Sequence, residues 1–101
     1  MDELIKKIEY WADDRNLIMG SSARVQCLKL MSEVGELADN LAKNRDCTDD
    51  IGDCMVVLII MANQLRKTPR QCLEHAYNDI KDGKGRMVNG VFVKDGDNEQ
   101  V

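Results

Sequence analysis

Apolar residues recur along most of this chain at intervals of three and four, the period of an α-helix with one buried face. Leu4, Ile5, Ile8, Trp11 and Ala12 form such a stripe in a first helix predicted from about Asp2 to Leu17. After a break at Gly20, Ser21 or Ser22 can cap a second helix. Its stripe of Leu30, Met31, Val34, Leu37, Ala38 and Leu41 carries it to about Asn44, and Gly35 on that stripe would let a neighbour come close. Thr48 suits the N-cap of a third helix reaching about Lys67, and Thr68-Pro69 opens a fourth that ends near Asp82-Gly83.

The third helix has no polar side over two turns, from Met55 through Met61. A helix apolar all round must be covered all round, which three partner helices from one small chain can hardly accomplish. The expectation is a homo-oligomer, a dimer or tetramer, with this helix central to a bundle. Beyond it the pattern changes period: Lys84 to Lys94 places Asn89-Gly90 between two short β-prone runs, the signature of a hairpin. The predicted architecture is therefore all-α, a four-helix bundle over residues 1–94 with a short hairpin-like end, and residues 95–101 as a flexible tail.

Composition narrows the function classes. With 101 residues the chain makes one domain, and with a net charge of −4 and 14 Lys+Arg thinly spread it carries no basic stripe for a nucleic-acid polymer. Its longest apolar run, Cys54 to Ala62, is far short of the roughly 20 residues a membrane span needs. The four cysteines, Cys27, Cys47, Cys54 and Cys72, have no CxxC spacing and no leader-like segment before them. They read as reduced, mostly buried residues of a soluble cytoplasmic protein.

Acidic spacing supplies the candidate chemistry. Glu33 and Glu36 stand three apart on the second helix, one above the other, as do Asp50 and Asp53 at the start of the third. Each pair has an ordinary explanation: Glu33 and Glu36 sit on a polar helix half with Lys29, Asp39, Asn40 and Lys43, and acids in a first turn complement the helix dipole. What those explanations leave over is the duplication, because the short connection makes the two helices antiparallel neighbours. Two facing pairs would make a cluster of oxygen ligands, which selects hard cations, Mg²⁺ or Mn²⁺. A di-iron bundle would need Glu-x-x-His pairs, and the only histidine, His75, directly follows Glu74.

The segments IEYWADDRN, QCLKLMSEVGELADNLAKN, DDIGDCMVVLIIMANQL and AYNDIKDGKGRMVNGVFVK cover nearly the whole chain. In their order and spacing the sequence resembles the MazG-like nucleoside triphosphate pyrophosphohydrolases of the all-α NTP pyrophosphatase superfamily. The resemblance implies a dimeric or tetrameric helical bundle and Mg²⁺-dependent hydrolysis of a (d)NTP to (d)NMP and pyrophosphate. Matched by position, it implies metal ligands at Glu33, Glu36, Asp50 and Asp53. Members often carry a further glutamate where this chain has Ser32. Glu36 is then the expected base beside Glu33, and Lys84, Arg86, Lys94, Asn89 and Asn63 are the candidate substrate contacts, against a basic loop capping the bundle, a turn asparagine and a buried hydrogen bond as their ordinary readings. Trp11, on an apolar stripe, reads as core rather than as a base platform. The alternative is a non-catalytic helical module that binds a nucleotide or a protein.

Overall fold

A computed structural model describes residues 1–95; the rest of the expected flexible tail lies outside the described residues. The described residues form four helices, α1 (Asp2–Asp14), α2 (Ala23–Ala42), α3 (Thr48–Gln64) and α4 (Pro69–Ile80), then strands β1 (Gly85–Val88) and β2 (Val91–Lys94). They are mostly helical, with one two-stranded antiparallel sheet among them.

Local chemistry explains the starts of the helices. The Ser22 hydroxyl accepts from the Val25 N–H, and Thr68 and Gln71 form a reciprocal capping box with Pro69 in the first turn of α4. At α3 the expected cap is displaced by two residues. Thr48 is the first helical residue, and the Asp46 carboxylate accepts from both its N–H and its hydroxyl, which lowers the Asp46 pKa.

The ends of the first three helices share one device. Asn16, Asn44 and Arg66 take left-handed φ angles of 58°, 56° and 59°. In each case the next N–H reaches back five residues, Leu17 to Ala12, Arg45 to Asn40 and Lys67 to Ala62, each at 2.9 Å. The left-handed residue's own N–H bonds three residues back, to Asp13, Leu41 and Asn63, which completes a Schellman motif. These reversals stop α1 and α3 three residues before the expected Leu17 and Lys67.

α3 occupies the middle, touching α1, α2 and α4, with its most extensive contact along α2. Ala12, Cys47, Val57, Ile59, Ile60 and Ala62 are the buried apolar residues among those described. Ile51, Met55 and Leu58 on α3, Leu28, Met31 and Leu41 on α2, and Leu73, Tyr77 and Ile80 on α4 remain exposed. A Cβ added to Gly35 would meet nothing within 4 Å, so this chain makes no close approach there. The radius of gyration, 16.4 Å, exceeds the roughly 13 Å of a compact domain of this length. In the hairpin Val88 pairs with Val91 across Asn89 (φ 51°) and Gly90 (φ 81°), the positive pair a tight hairpin turn requires.

Candidate functional site

α2 and α3 run side by side, and residues of α1, α2 and α3, with Leu17 after α1, line one cleft. This cleft, of about 370 Å³, has walls of Trp11, Leu17, Val25, Val56, Val57 and Ile60 and a polar edge of Gln26, Lys29, Glu33 and Asp53. A second hollow of about 350 Å³ adjoins it, sharing Trp11, Asp53 and Val56. Trp11 is 44% exposed, its ring under the Arg15 guanidinium at 4.9 Å. The apolar stripe of α1 thus places its largest side chain on a cleft rather than in the core.

Glu33 is buried, with 8% of its surface exposed. One oxygen lies 3.0 Å from Lys29 Nζ, one turn earlier on α2, while Oε2 is buried without a hydrogen-bond partner. Such an atom is costly, because it has given up water and gained no donor. Asp53 is half-buried. Its burial holds the carboxyl above the ordinary carboxylate range; Asp49, Glu33 and Asp50 push it the same way, and Lys29 opposes them. Lys29 responds in kind, its pKa raised by the hydrogen bond and charge of Glu33, with Glu36 and Asp53 adding to the effect.

Asp50 is also buried but satisfied otherwise: Asn40 Nδ2 donates to it at 2.9 Å, and the Arg45 guanidinium donates at 3.4 Å to Asn40 Oδ1. Glu36 is exposed. Of the four carboxylates expected to converge, Glu33 and Asp53 share the cleft, and Asp50 and Glu36 lie outside its lining. Among the described residues, no three His, Cys, Asp or Glu side chains gather where one ion could be held. The donors on the cleft nevertheless fit a hard divalent cation in kind. The two carboxylates offer oxygen only, and one of those oxygens is buried and unpartnered; the Lys29 ammonium beside them opposes a cation.

The expected substrate contacts are placed elsewhere. Asn63 donates to Glu9 and, at 3.0 Å, to the Ile59 carbonyl, tying α3 to α1. Lys84, Arg86, Asn89 and Lys94 are exposed on or beside the hairpin, outside the lining of the cleft. Arg86 pairs with Val93 and Lys94 with Gly85, neighbouring rungs whose side chains leave opposite faces of the ribbon. Of the cysteines, Cys47 is buried and Cys54 partly so, with burial raising both thiol pKa values; Cys27 and Cys72 are exposed, contrary to the expectation that most would be buried. Sequence reasoning placed Lys29 and Asn40 on a polar face without giving either a role. For Lys29 the available signal was its i,i+4 spacing from Glu33.

Comparison with known proteins adds one relative. The chain is 50% identical over 66 residues to a protein of Haemophilus phage HP1 (strain HP1c1) described as an uncharacterized 18.2 kDa protein in the rep-hol intergenic region. The match covers 63% of this chain and 40% of that protein. No protein-family model and no solved structure matches the chain.

Proposed function

We propose that this chain is a MazG-like nucleoside triphosphate pyrophosphohydrolase that cleaves a (d)NTP to (d)NMP and pyrophosphate by attack of water at the α phosphorus. The observation that carries the reading is Glu33, a buried carboxylate with one oxygen unpartnered, on the same cleft as the half-buried Asp53. Glu33 and Asp53 are the residues to hold Mg²⁺, or Mn²⁺ in its place, with Asp50 and Glu36 on the same two helices to complete the ligand set. When bound, the ion supplies positive charge for the carboxylates and triphosphate and lowers the pKa of a coordinated water.

The remaining roles fall to side chains on the cleft and beyond it. Glu36, exposed one turn after Glu33, is free to accept a proton from the attacking water. Trp11 and the Val56, Val57 and Ile60 wall offer a flat base an apolar surface and keep solvent from one side of it. Lys84, Arg86 and Lys94 are assigned to phosphate oxygens in a homo-oligomer, where a second copy covers the exposed apolar faces of α2, α3 and α4. Four unpaired cysteines suit a reducing, cytoplasmic setting, and no helix among the described residues is long and apolar enough to cross a membrane.

The test is pyrophosphate release from a panel of (d)NTPs with Mg²⁺. Glu33→Gln and Asp53→Asn are expected to abolish it without loss of helical content; turnover surviving both substitutions refutes the assignment. A second reading, a non-catalytic helical module, is favoured by the lack of three gathered ligand groups among the described residues. It predicts no turnover and no rise in melting temperature with Mg²⁺, whereas an ion that binds only the folded chain must raise it.

A further inference from the structure

Four acid–base pairs one helical turn apart lie along the described helices: Lys29–Glu33, Lys43–Asp39, Arg70–Glu74 and His75–Asp79. In the last three both partners are exposed, the ordinary surface pairing of a solvated helix. Lys29–Glu33 differs on its acid side: the lysine side chain is 59% exposed and the glutamate only 10%. The lysine therefore reaches inward to a buried carboxylate at the edge of a cleft, instead of meeting its partner in water.

We propose that Lys29 is the built-in counter-ion of this cleft, a positioning residue whose ammonium competes with a divalent cation for Glu33 and gives way when the ion arrives. The proposal rests on the metal reading of Glu33 and Asp53 given above. Three observations carry it. Lys29 contacts one oxygen of Glu33 and leaves the other, buried Oε2, without a donor, so a single ammonium satisfies the carboxylate only in part. Asp53 shares the cleft, and its charge acts on Lys29 together with those of Glu33 and Glu36. Arg45, the cation next to Asp50 and Asn40 along the α2–α3 connection, donates to the Asn40 side-chain Oδ1 and lies outside the cleft's lining. Lys29 is the cation that lines the cleft, while Lys7 lines the adjoining hollow. A divalent ion approaching Glu33 must break that pair and overcome its charge. Once released, the long, half-exposed side chain is free to turn towards an anionic ligand.

Titration of the full chain with Mn²⁺, following the free ion by electron paramagnetic resonance, tests this without any turnover. Deleting the positive charge by Lys29→Met or Lys29→Gln should tighten Mn²⁺ binding on the order of tenfold, the effect of removing one charge a few ångströms from a divalent ion at a near-aqueous dielectric. Lys29→Arg, which keeps the charge, should leave affinity near that of the wild type. A purely structural role for Lys29 would weaken binding on substitution, so tightening distinguishes the two. Unchanged or weaker Mn²⁺ binding in a methionine or glutamine variant that retains its helical circular dichroism overturns the proposal and leaves the metal reading standing. If neither the wild type nor these variants take up Mn²⁺, the metal reading fails and the counter-ion role fails with it.

Discussion

Replacing Glu33 with methionine should make the metal-free protein more stable while removing its response to divalent ions. Glu33 is 8% exposed, and its Oε2 is buried without a protein donor. A buried acceptor left unpaired costs about 1–3 kcal/mol. Against that stands one ion pair to a lysine that is itself largely in solvent, a geometry that adds little. Methionine is unbranched, favours helices and suits a site walled by Val25, Val56, Val57 and Ile60. The net gain should be about 1–2 kcal/mol, which for a domain of this size raises the melting temperature by roughly 5–15 °C. The assay is far-UV circular dichroism melting at one fixed protein concentration, with chelator and then with Mg²⁺. Wild type should melt lower than the variant in chelator and move up with Mg²⁺, while the variant stays where it is. A Glu33→Met protein that melts at or below wild type in chelator would show that the buried oxygen carries no such burden, and the site argument built on it would fall.

Other outcomes follow from features elsewhere in the fold. Arg66 holds φ at 59° with a full side chain, so Arg66→Gly should add about 0.5–1 kcal/mol in urea unfolding, with a smaller gain for Asn44→Gly because asparagine tolerates this conformation. Ile60, 4% exposed in the C-terminal half of α3, should lose about 2–4 kcal/mol on truncation to alanine, read in the same experiment. Because folding raises the Asp53 pKa, the native state binds more protons than the unfolded chain between the two values, and stability falls as pH rises through that window. Asp53→Asn should therefore be the more stable protein at neutral pH. Its advantage should shrink as pH drops through that window and be gone below the ordinary aspartate value, which melting across pH will show. Leu58→Glu, on an exposed apolar face, should lower the mass found by sedimentation equilibrium if α3 is covered by a second copy.

Elements whose signals are local were legible in the sequence. Thr68-Pro69 marks the start of α4 because proline fits only the first turn, and Asn89-Gly90 marks the hairpin because its turn needs two positive φ angles. Helix ends were harder to read: apolar periodicity runs on past Asp14 and Gln64, where Asn16 and Arg66 turn the chain without any glycine to announce it. At the candidate site, a helical wheel assigned Glu33 to the polar half of α2 and Trp11 to the buried half of α1. Both placements fail for one reason. Burial depends on which neighbour lies against a face, and here the cleft meets the polar edge of α2 and the apolar edge of α1. The E-x-x-E and D-x-x-D spacing correctly put two acids of each pair on one helix, but spacing alone could not show that Asn40 engages Asp50 or that Lys29 engages Glu33.

The three left-handed joints set how this molecule can vary. Each reversal is held by main-chain N–H groups returning to carbonyls of the preceding turn, so the angle between successive rods is written in the peptide backbone rather than in particular side chains. Loop residues such as Lys43 and Lys67 can then be exchanged for others with little change in how the rods are aimed. Insertion of even one residue between a left-handed position and its helix would break both return bonds and swing every rod that follows.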